Sequence, residues 1–180
     1  SKWYGDAQSS DHSLKQGSEL SKPHSLDWPR GILEMQRNWI GKKEGVRVQF
    51  AVSSEQLSGI KMLETFTTRI DTIMGVTYVV ISPEMARDWI SKGWEASVDV
   101  KDYVASSLQK SEQTRLTEAK EKTGVKTDLM VVNPANGEEV SVWVADYVLS
   151  SVGTGAVMGV PSLDARDREF AEKYGIEIRE

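Results

Sequence analysis

Apolar and polar residues alternate from Val46 to Val52, with Val46, Val48, Phe50 and Val52 on one side. That is the period-2 pattern of a half-buried strand. A second strand is expected over residues 60–66 and a third over Thr77-Tyr78-Val79-Val80-Ile81. Ser82-Pro83-Glu84 then has the composition of a helix start, with serine as N-cap and proline in the first helical position. This helix should run to about Lys92 and stop at Gly93. Residues 100–122 are charged and alternately apolar, which predicts one or two surface helices broken by Gly124. Short strands follow at 128–132 and 140–144, joined through Asn133-Pro134-Ala135-Asn136-Gly137, whose Asn-Gly is a strong turn signal. Gly153-Thr154-Gly155 opens another apolar strand over 156–160, which Pro161 ends, and a last helix over 163–174 closes at Gly175.

Ahead of these elements, residues 1–24 are polar and show no period of 2 or 3.6, so they read as a mobile arm or irregular insertion. Order should begin near Leu26-Asp27-Trp28-Pro29 and continue as a short helix over 32–40 that ends at Gly41. The division that follows is an arm over 1–25 and one domain over 26–180. No internal repeat is visible. Strands outnumber helices but both are needed. The fold class predicted is α/β, a mixed parallel and antiparallel sheet curled into a barrel-like core with peripheral helices.

Composition narrows the chemistry. The chain has 180 residues, enough for one domain with a real core, and 39% hydrophobic against 27% charged residues is ordinary globular composition. It contains no cysteine, and its two histidines, His12 and His24, both lie in the polar N-terminal stretch. That leaves no disulfide framework, thiolate zinc site, cysteine nucleophile or multi-histidine metal site. No apolar run approaches the roughly 18 residues of a membrane span. A formal charge of −5 argues against a protein that lives on long duplex contacts, but leaves room for a small contact with one nucleic-acid end.

Two segments depart from what folding alone asks for. In Thr65-Phe66-Thr67-Thr68-Arg69-Ile70-Asp71-Thr72 a strand empties into hydroxyls, an arginine and an aspartate at a helix start. Such a spot suits an ester carbonyl, a ribose or a phosphate. The plainer reading, which pattern alone favours, is that Thr68 or Asp71 caps a short helix. The second segment runs from Gly153 through Met158, Val160 and Asp164 to Asp167. Its glycines allow close backbone approach, and Asp164 and Asp167 sit three apart in the first turn of the last helix. A carboxylate there can hold an ammonium group. Alternatively Asp164 is an N-cap with Asp167 as its reciprocal partner, and Arg166 pairs with Glu169 or a neighbour on the surface. Met35, Trp39, Trp89 and Trp143 are expected in the core, and the charges from Lys110 to Lys122 on an exposed helix face.

Taken together and in order, Trp28-Pro29, Met35-Gln36-Arg37-Asn38-Trp39-Ile40-Gly41, Thr67-Thr68-Arg69 with Asp71-Thr72, Asn133-Pro134 with Gly137-Glu138, and Gly153-Thr154-Gly155-Ala156-Val157-Met158 with Val160-Pro161 and Asp164-Ala165-Arg166-Asp167 closely resemble the editing domain of leucyl-tRNA synthetase. The likeness runs from about Trp28 to the C-terminus. Three positions depart from that family's pattern: Ile70 stands where proline is usual, Leu163 where histidine is usual, and Val152 where an aromatic residue commonly precedes the Gly-Thr-Gly.

The resemblance implies hydrolysis of the ester joining a noncognate amino acid, such as isoleucine, valine or norvaline, to the 3′-terminal adenosine of tRNA(Leu). It matches Asp167 to the aspartate that binds the substrate α-ammonium group, and Thr72 to the threonine that blocks leucine. Thr67, Thr68 and Arg69 match the wall around the ester and terminal adenosine, with Met158 in the segment opposite. On the same grounds Asp71, Gly155, Val160, Asp164 and Arg166 are placed on the substrate-binding side. No cofactor and no metal are implied. Partners would be the tRNA end and the remainder of a synthetase, with the chain itself monomeric and no membrane involved. The expected compartment is the cytoplasm, with mitochondrion or plastid as alternatives. Neither the His-Ile-Gly-His nor the Lys-Met-Ser-Lys-Ser type of ATP signature occurs, so the chain reads as an editing domain cut from a longer enzyme that does not itself activate leucine. Two other readings stand beside this one, an isoleucyl- or valyl-type editing domain and a non-hydrolytic module that binds the tRNA end.

Overall fold

In a computed structural model the chain divides into two compact units, residues 1–43 and 44–180. The residues described are 29, 31–32, 35, 45–53, 59–110, 114–115 and 122–179. In the first unit Gly31, Ile32 and Met35 are helical and the Ile32 N–H donates to the Pro29 carbonyl at 2.9 Å. Met35 was expected in the core, but its side chain is 72% exposed. The polar arm, both histidines, Trp39 and most of the expected 32–40 helix lie outside the described residues.

The second unit is built on six strands: β1 (Val46–Val52), β2 (Met62–Thr67), β3 (Tyr78–Ile81), β4 (Gly124–Val132), β5 (Glu139–Ala145) and β6 (Ala156–Gly159). They form one sheet in the order β2-β1-β4-β5-β3-β6. Every pairing is antiparallel except β3 with β5, which is parallel. Helices α1 (Pro83–Ser91) and α2 (Val98–Leu108) lie in the crossover between β3 and β4, and α3 (Ala165–Tyr174) follows β6. The mixed α/β reading holds, but the barrel does not. Edge strands β2 and β6 come close to one another, yet no ladder joins them and the sheet stays open. β6 has only four residues and runs into Val160-Pro161, and a proline has no N–H with which to extend a ladder.

Alternation along β1 buries Val48 and Phe50 and leaves Arg47 and Gln49 in solvent. β3 is buried at all four positions, as a strand packed on both faces must be. Its Val79 and Ile81 join the larger core with Phe50, Leu63, Leu129 and Val131 of the sheet, Ala86 and Trp89 of α1, and Val100 and Val104 of α2. Its Tyr78 and Val80 join a second, aromatic core with Trp143, Phe170 and Ala171. Tyr78 stacks on Phe170 at 5.5 Å between centroids, so α3 is anchored on the opposite face of the sheet from α1 and α2. Trp89 and Trp143 are core residues as expected.

Two further expectations need correcting. Gly124 does not break a helix but begins β4, four residues before the strand start predicted at 128. A Cβ there would stand 2.7 Å from the Phe170 ring, so the glycine serves the packing of α3 on the sheet. Nor is the 110–122 stretch a purely exposed charged face. The Arg115 side chain is 1% exposed, ion-paired with Glu84 in the first turn of α1, and its Nη1 donates to the Asp146 carbonyl at 3.4 Å. Among the described residues no helix is long and apolar enough to cross a membrane.

Candidate active site

β2 ends at Thr67, and the chain turns through Thr68 and Arg69 into a 3-10 turn over Ile70–Gly75 that delivers it to β3. The turn has no side-chain cap, so neither Thr68 nor Asp71 plays the capping role that pattern favoured. Instead the Thr67 hydroxyl accepts the Arg69 N–H at 2.9 Å, and the Thr72 hydroxyl donates to the Arg69 carbonyl at 2.8 Å. Thr72 is buried within the turn at 7% exposure. Arg69 and Asp71 pair with each other in solvent, Nη2 to Oδ2 at 2.7 Å. Each shifts the other, the Asp71 carboxylate raising Arg69 and the Arg69 guanidinium lowering Asp71, mainly through their hydrogen bonds. Thr68 is exposed.

The second cluster stands where β6 turns into α3. Asp164 is the N-cap, its Oδ1 accepting from Arg166 N at 2.8 Å and Asp167 N at 3.3 Å. Asp167 is not its reciprocal partner, because the Asp167 carboxylate turns back to the strand end and Oδ2 accepts the Val160 N–H at 2.8 Å. Its backbone carbonyl meanwhile accepts the Tyr78 hydroxyl at 3.2 Å. Asp167 is half-buried, and burial is the main cause that raises its pKa. The Val160 N–H, then the Lys122 ammonium and the Tyr78 hydroxyl, offset part of that rise, while Asp164 adds to it. This is a carboxylate kept from full solvation and short of countercharge, which is what an ammonium-binding group needs. Arg166 is exposed, and its carbonyl accepts the Lys122 ammonium at 2.8 Å.

The two clusters meet through Gly75 and Val160. A Cβ on Gly75 would stand 3.2 Å from the Val160 side chain and 3.4 Å from the Ser162 hydroxyl, so the end of the Thr72 turn lies against the Asp167-bearing loop. Register supports the same placement. Met158 is opposite Val79 and Gly159 opposite Tyr78 across β3 and β6, and the Thr77 N–H donates to the Gly159 carbonyl at 3.2 Å. Gly153 and Gly155 both have positive φ, 63° and 76°, which lets the Gly-Thr-Gly loop fold tightly. The Gly155 carbonyl accepts the N–H of Ser82, the α1 N-cap, at 2.9 Å, while Gly153 lies against Phe66 of β2.

The model of the leucyl-tRNA synthetase editing domain matches residues 37–180. The chain belongs to this family. Among its relatives, the leucine–tRNA ligases of Chlorobium phaeovibrioides (strain DSM 265 / 1930) and Chlorobaculum parvum (strain DSM 263 / NCIMB 8327) are 48% and 46% identical over 155 residues. Those alignments cover 86% of this chain but 19% of the ligases, so the chain spans about one-fifth the length of the curated relatives it matches. Among solved structures, the editing domain resembles part of the ternary complex of Agrobacterium radiobacter K84 agnB2 LeuRS, tRNA and LeuAMS, with a TM-score of 0.68 and 41% identity over 86% of this chain and 18% of that one.

Within this leucyl-tRNA synthetase editing domain, then, Thr67, Thr72, Val160 and Asp167 are drawn into linked positions, Asp164 caps the helix that carries Asp167, and Met158 extends along the adjoining edge strand. Thr68, Arg69, Asp71 and Arg166 face solvent around them. The departures Ile70, Val152 and Leu163 are exposed too, at 45%, 65% and 66%. Tyr78 and Lys122 beside Asp167 were not singled out from the sequence, since only the folded register of β3 and β4 brings them to α3. Asn133, read from the sequence as part of the 133–137 turn, was not placed at the site, because only the fold brings its side chain to the Thr72 turn.

Proposed function

We propose that the chain hydrolyses the ester linking a noncognate aliphatic amino acid to the terminal adenosine of tRNA(Leu), acting as the post-transfer editing site of a leucyl-tRNA synthetase. The observation that carries this reading is the linkage of Asp167 and Thr72 through Val160 and Gly75. Asp167 is a carboxylate deprived of part of its solvation at the point where the substrate ammonium would be held. Thr72 is a buried β-branched side chain in a turn packed against the same loop, and would form the wall that leucine cannot pass.

The need for a second site follows from energetics. A synthetic site that binds leucine cannot strongly reject isosteric or smaller aliphatic side chains, because a methyl or methylene is worth only ~1–3 kcal/mol. A second pocket closed to leucine by shape destroys the wrong products and spares the right one. An aminoacyl ester is already activated, so the work left to the protein is orientation of substrate and water and hydrogen bonding to the developing oxyanion. The backbone N–H groups and hydroxyls of the Thr67–Thr68 turn are suited to that last task. The ester carbonyl is attacked by water, the proton of that water leaves to solvent or to the departing ribose oxygen, and the products are free amino acid and tRNA with its 3′ end intact.

The test is deacylation of Ile-tRNA(Leu) by a full-length leucyl-tRNA synthetase carrying this domain, with and without Asp167→Ala. Hydrogen bonds to charged groups are worth ~1.5–3 kcal/mol, so the substitution should lower kcat/KM on the order of 10- to 100-fold. Equal rates for wild type and variant would remove Asp167 from the ammonium site.

A further inference from the structure

Resting on that reading of Thr72, we infer that Asn133 is a positioning residue for the leucine-excluding wall: a buried amide that clamps the Thr72 turn in the geometry on which the sieve depends. Asn133 is 0% exposed and stands at the start of the hairpin between β4 and β5, sixty residues away in sequence from the turn it touches. Its Nδ2 donates to the carbonyl of Ile73, the residue after Thr72, at 2.8 Å. Its Oδ1 accepts the Ala135 N–H at 3.0 Å, its own N–H donates to the Glu138 carbonyl at 2.8 Å, and its carbonyl accepts the Gly137 N–H at 2.8 Å. The hairpin therefore fixes the amide, and the amide fixes the turn.

The turn needs such support. It is a single 3-10 segment, with poorer hydrogen-bond geometry than an α-helix, and has no side-chain cap. It is tied to its flanks by the Thr72 N–H and hydroxyl, both donating to the Arg69 carbonyl at 3.2 and 2.8 Å, and by the Val76 N–H donating to the Ile73 carbonyl at 3.3 Å. Among the described residues the Asn133 amide is the only hydrogen bond that reaches residues 70–75 from a distant part of the chain. A steric sieve discriminates on displacements of well under an ångström, so the group that holds the wall in place governs selectivity without touching substrate.

The experiment compares Asn133→Asp, Thr72→Ala and the double variant in a full-length leucyl-tRNA synthetase carrying this domain, each assayed for deacylation of Leu-tRNA(Leu) and Ile-tRNA(Leu). Asn133→Asp keeps the size and the acceptor toward Ala135 but loses the donor toward Ile73. Asn133→Ser, a neutral variant too short to reach Ile73, replaces it should the buried carboxylate prevent folding. The expected result is a rise of about tenfold in the rate for the leucyl ester relative to the isoleucyl ester. Combined with Thr72→Ala, neither substitution should raise that ratio further, because both act through the same wall. A merely structural role would slow both esters together and leave the ratio alone. An unchanged ratio in folded Asn133→Asp or Asn133→Ser, with Thr72→Ala itself hydrolysing the leucyl ester, overturns the clamp and leaves the sieve intact. Failure of Thr72→Ala to hydrolyse the leucyl ester overturns the sieve and the clamp with it.

Discussion

Asp167 shows how one side chain can be costly to the fold and still useful. Burial raises its pKa, and the Val160 N–H recovers only part of that cost. Because the folded chain holds this proton more tightly than the unfolded chain, the group's contribution to stability is full below the ordinary aspartate pKa and is lost as pH rises through the raised one. Activity runs the other way, since only the ionised form attracts an ammonium. Asp167→Asn keeps an acceptor for Val160 and should therefore lose deacylation while its melting temperature, relative to wild type, gains as pH rises above the ordinary aspartate pKa; deacylation assays and melting scans upward from that pH check the two signs. Thr65 offers a second case. It is 0% exposed on β2, opposite Val48, and its hydroxyl has no partner among the described residues. Thr65→Val should raise stability by ~1 kcal/mol without altering deacylation, read as an increased denaturation midpoint. At this scale the sequence was partly legible. Asp164 as N-cap follows from residue type and position, but the turn of Asp167 toward Val160 depends on where β6 stops relative to α3, which no local pattern encodes.

At the scale of elements, strand alternation and helix punctuation placed most of the secondary structure, because β1, the Ser82-Pro83 start and the Gly175 stop are dictated by neighbouring residues. What escaped is what one element asks of another. Gly124 looks like a breaker in isolation and is in fact the space for Phe170. Gly159 plays the same part on β6, where a Cβ would overlap the Tyr78 ring. Gly159→Ala should cost ~1–3 kcal/mol by overpacking, measured by chemical denaturation, with the loss falling on the β3–β6 pairing that aligns the site. Arg115 sits among alternating charges and reads as solvated, yet its guanidinium ties the first turn of α1 to the Asp146 carbonyl that follows β5. Arg115→Ala strands Glu84, which is 21% exposed, and should destabilise by ~3 kcal/mol. A shift in denaturation midpoint near zero would show the pair to be dispensable.

For the whole molecule, the expected barrel became an open, curled sheet. Alternation predicts which residues face inward but not whether the last edges bond, and here β6 is too short and too close to Pro161 to close the circle. The open seam is flanked by the two segments that composition had marked as chemically unusual, the threonine-rich end of β2 and the Gly-Thr-Gly loop before β6, in contact through Phe66 and Gly153. The chain belongs to the leucyl-tRNA synthetase editing-domain family, and on the function proposed above this seam would take the aminoacyl ester, a small contact compatible with a net charge of −5. Selective destruction of the wrong ester is read out by following hydrolysis of Ile-tRNA(Leu) and Leu-tRNA(Leu) side by side with wild-type and Thr72→Ala forms of a synthetase carrying this domain. Wild type should clear the isoleucyl ester and spare the leucyl ester, while Thr72→Ala clears both. Wild-type hydrolysis of the two esters at equal rates, or of neither, would contradict the proposed function.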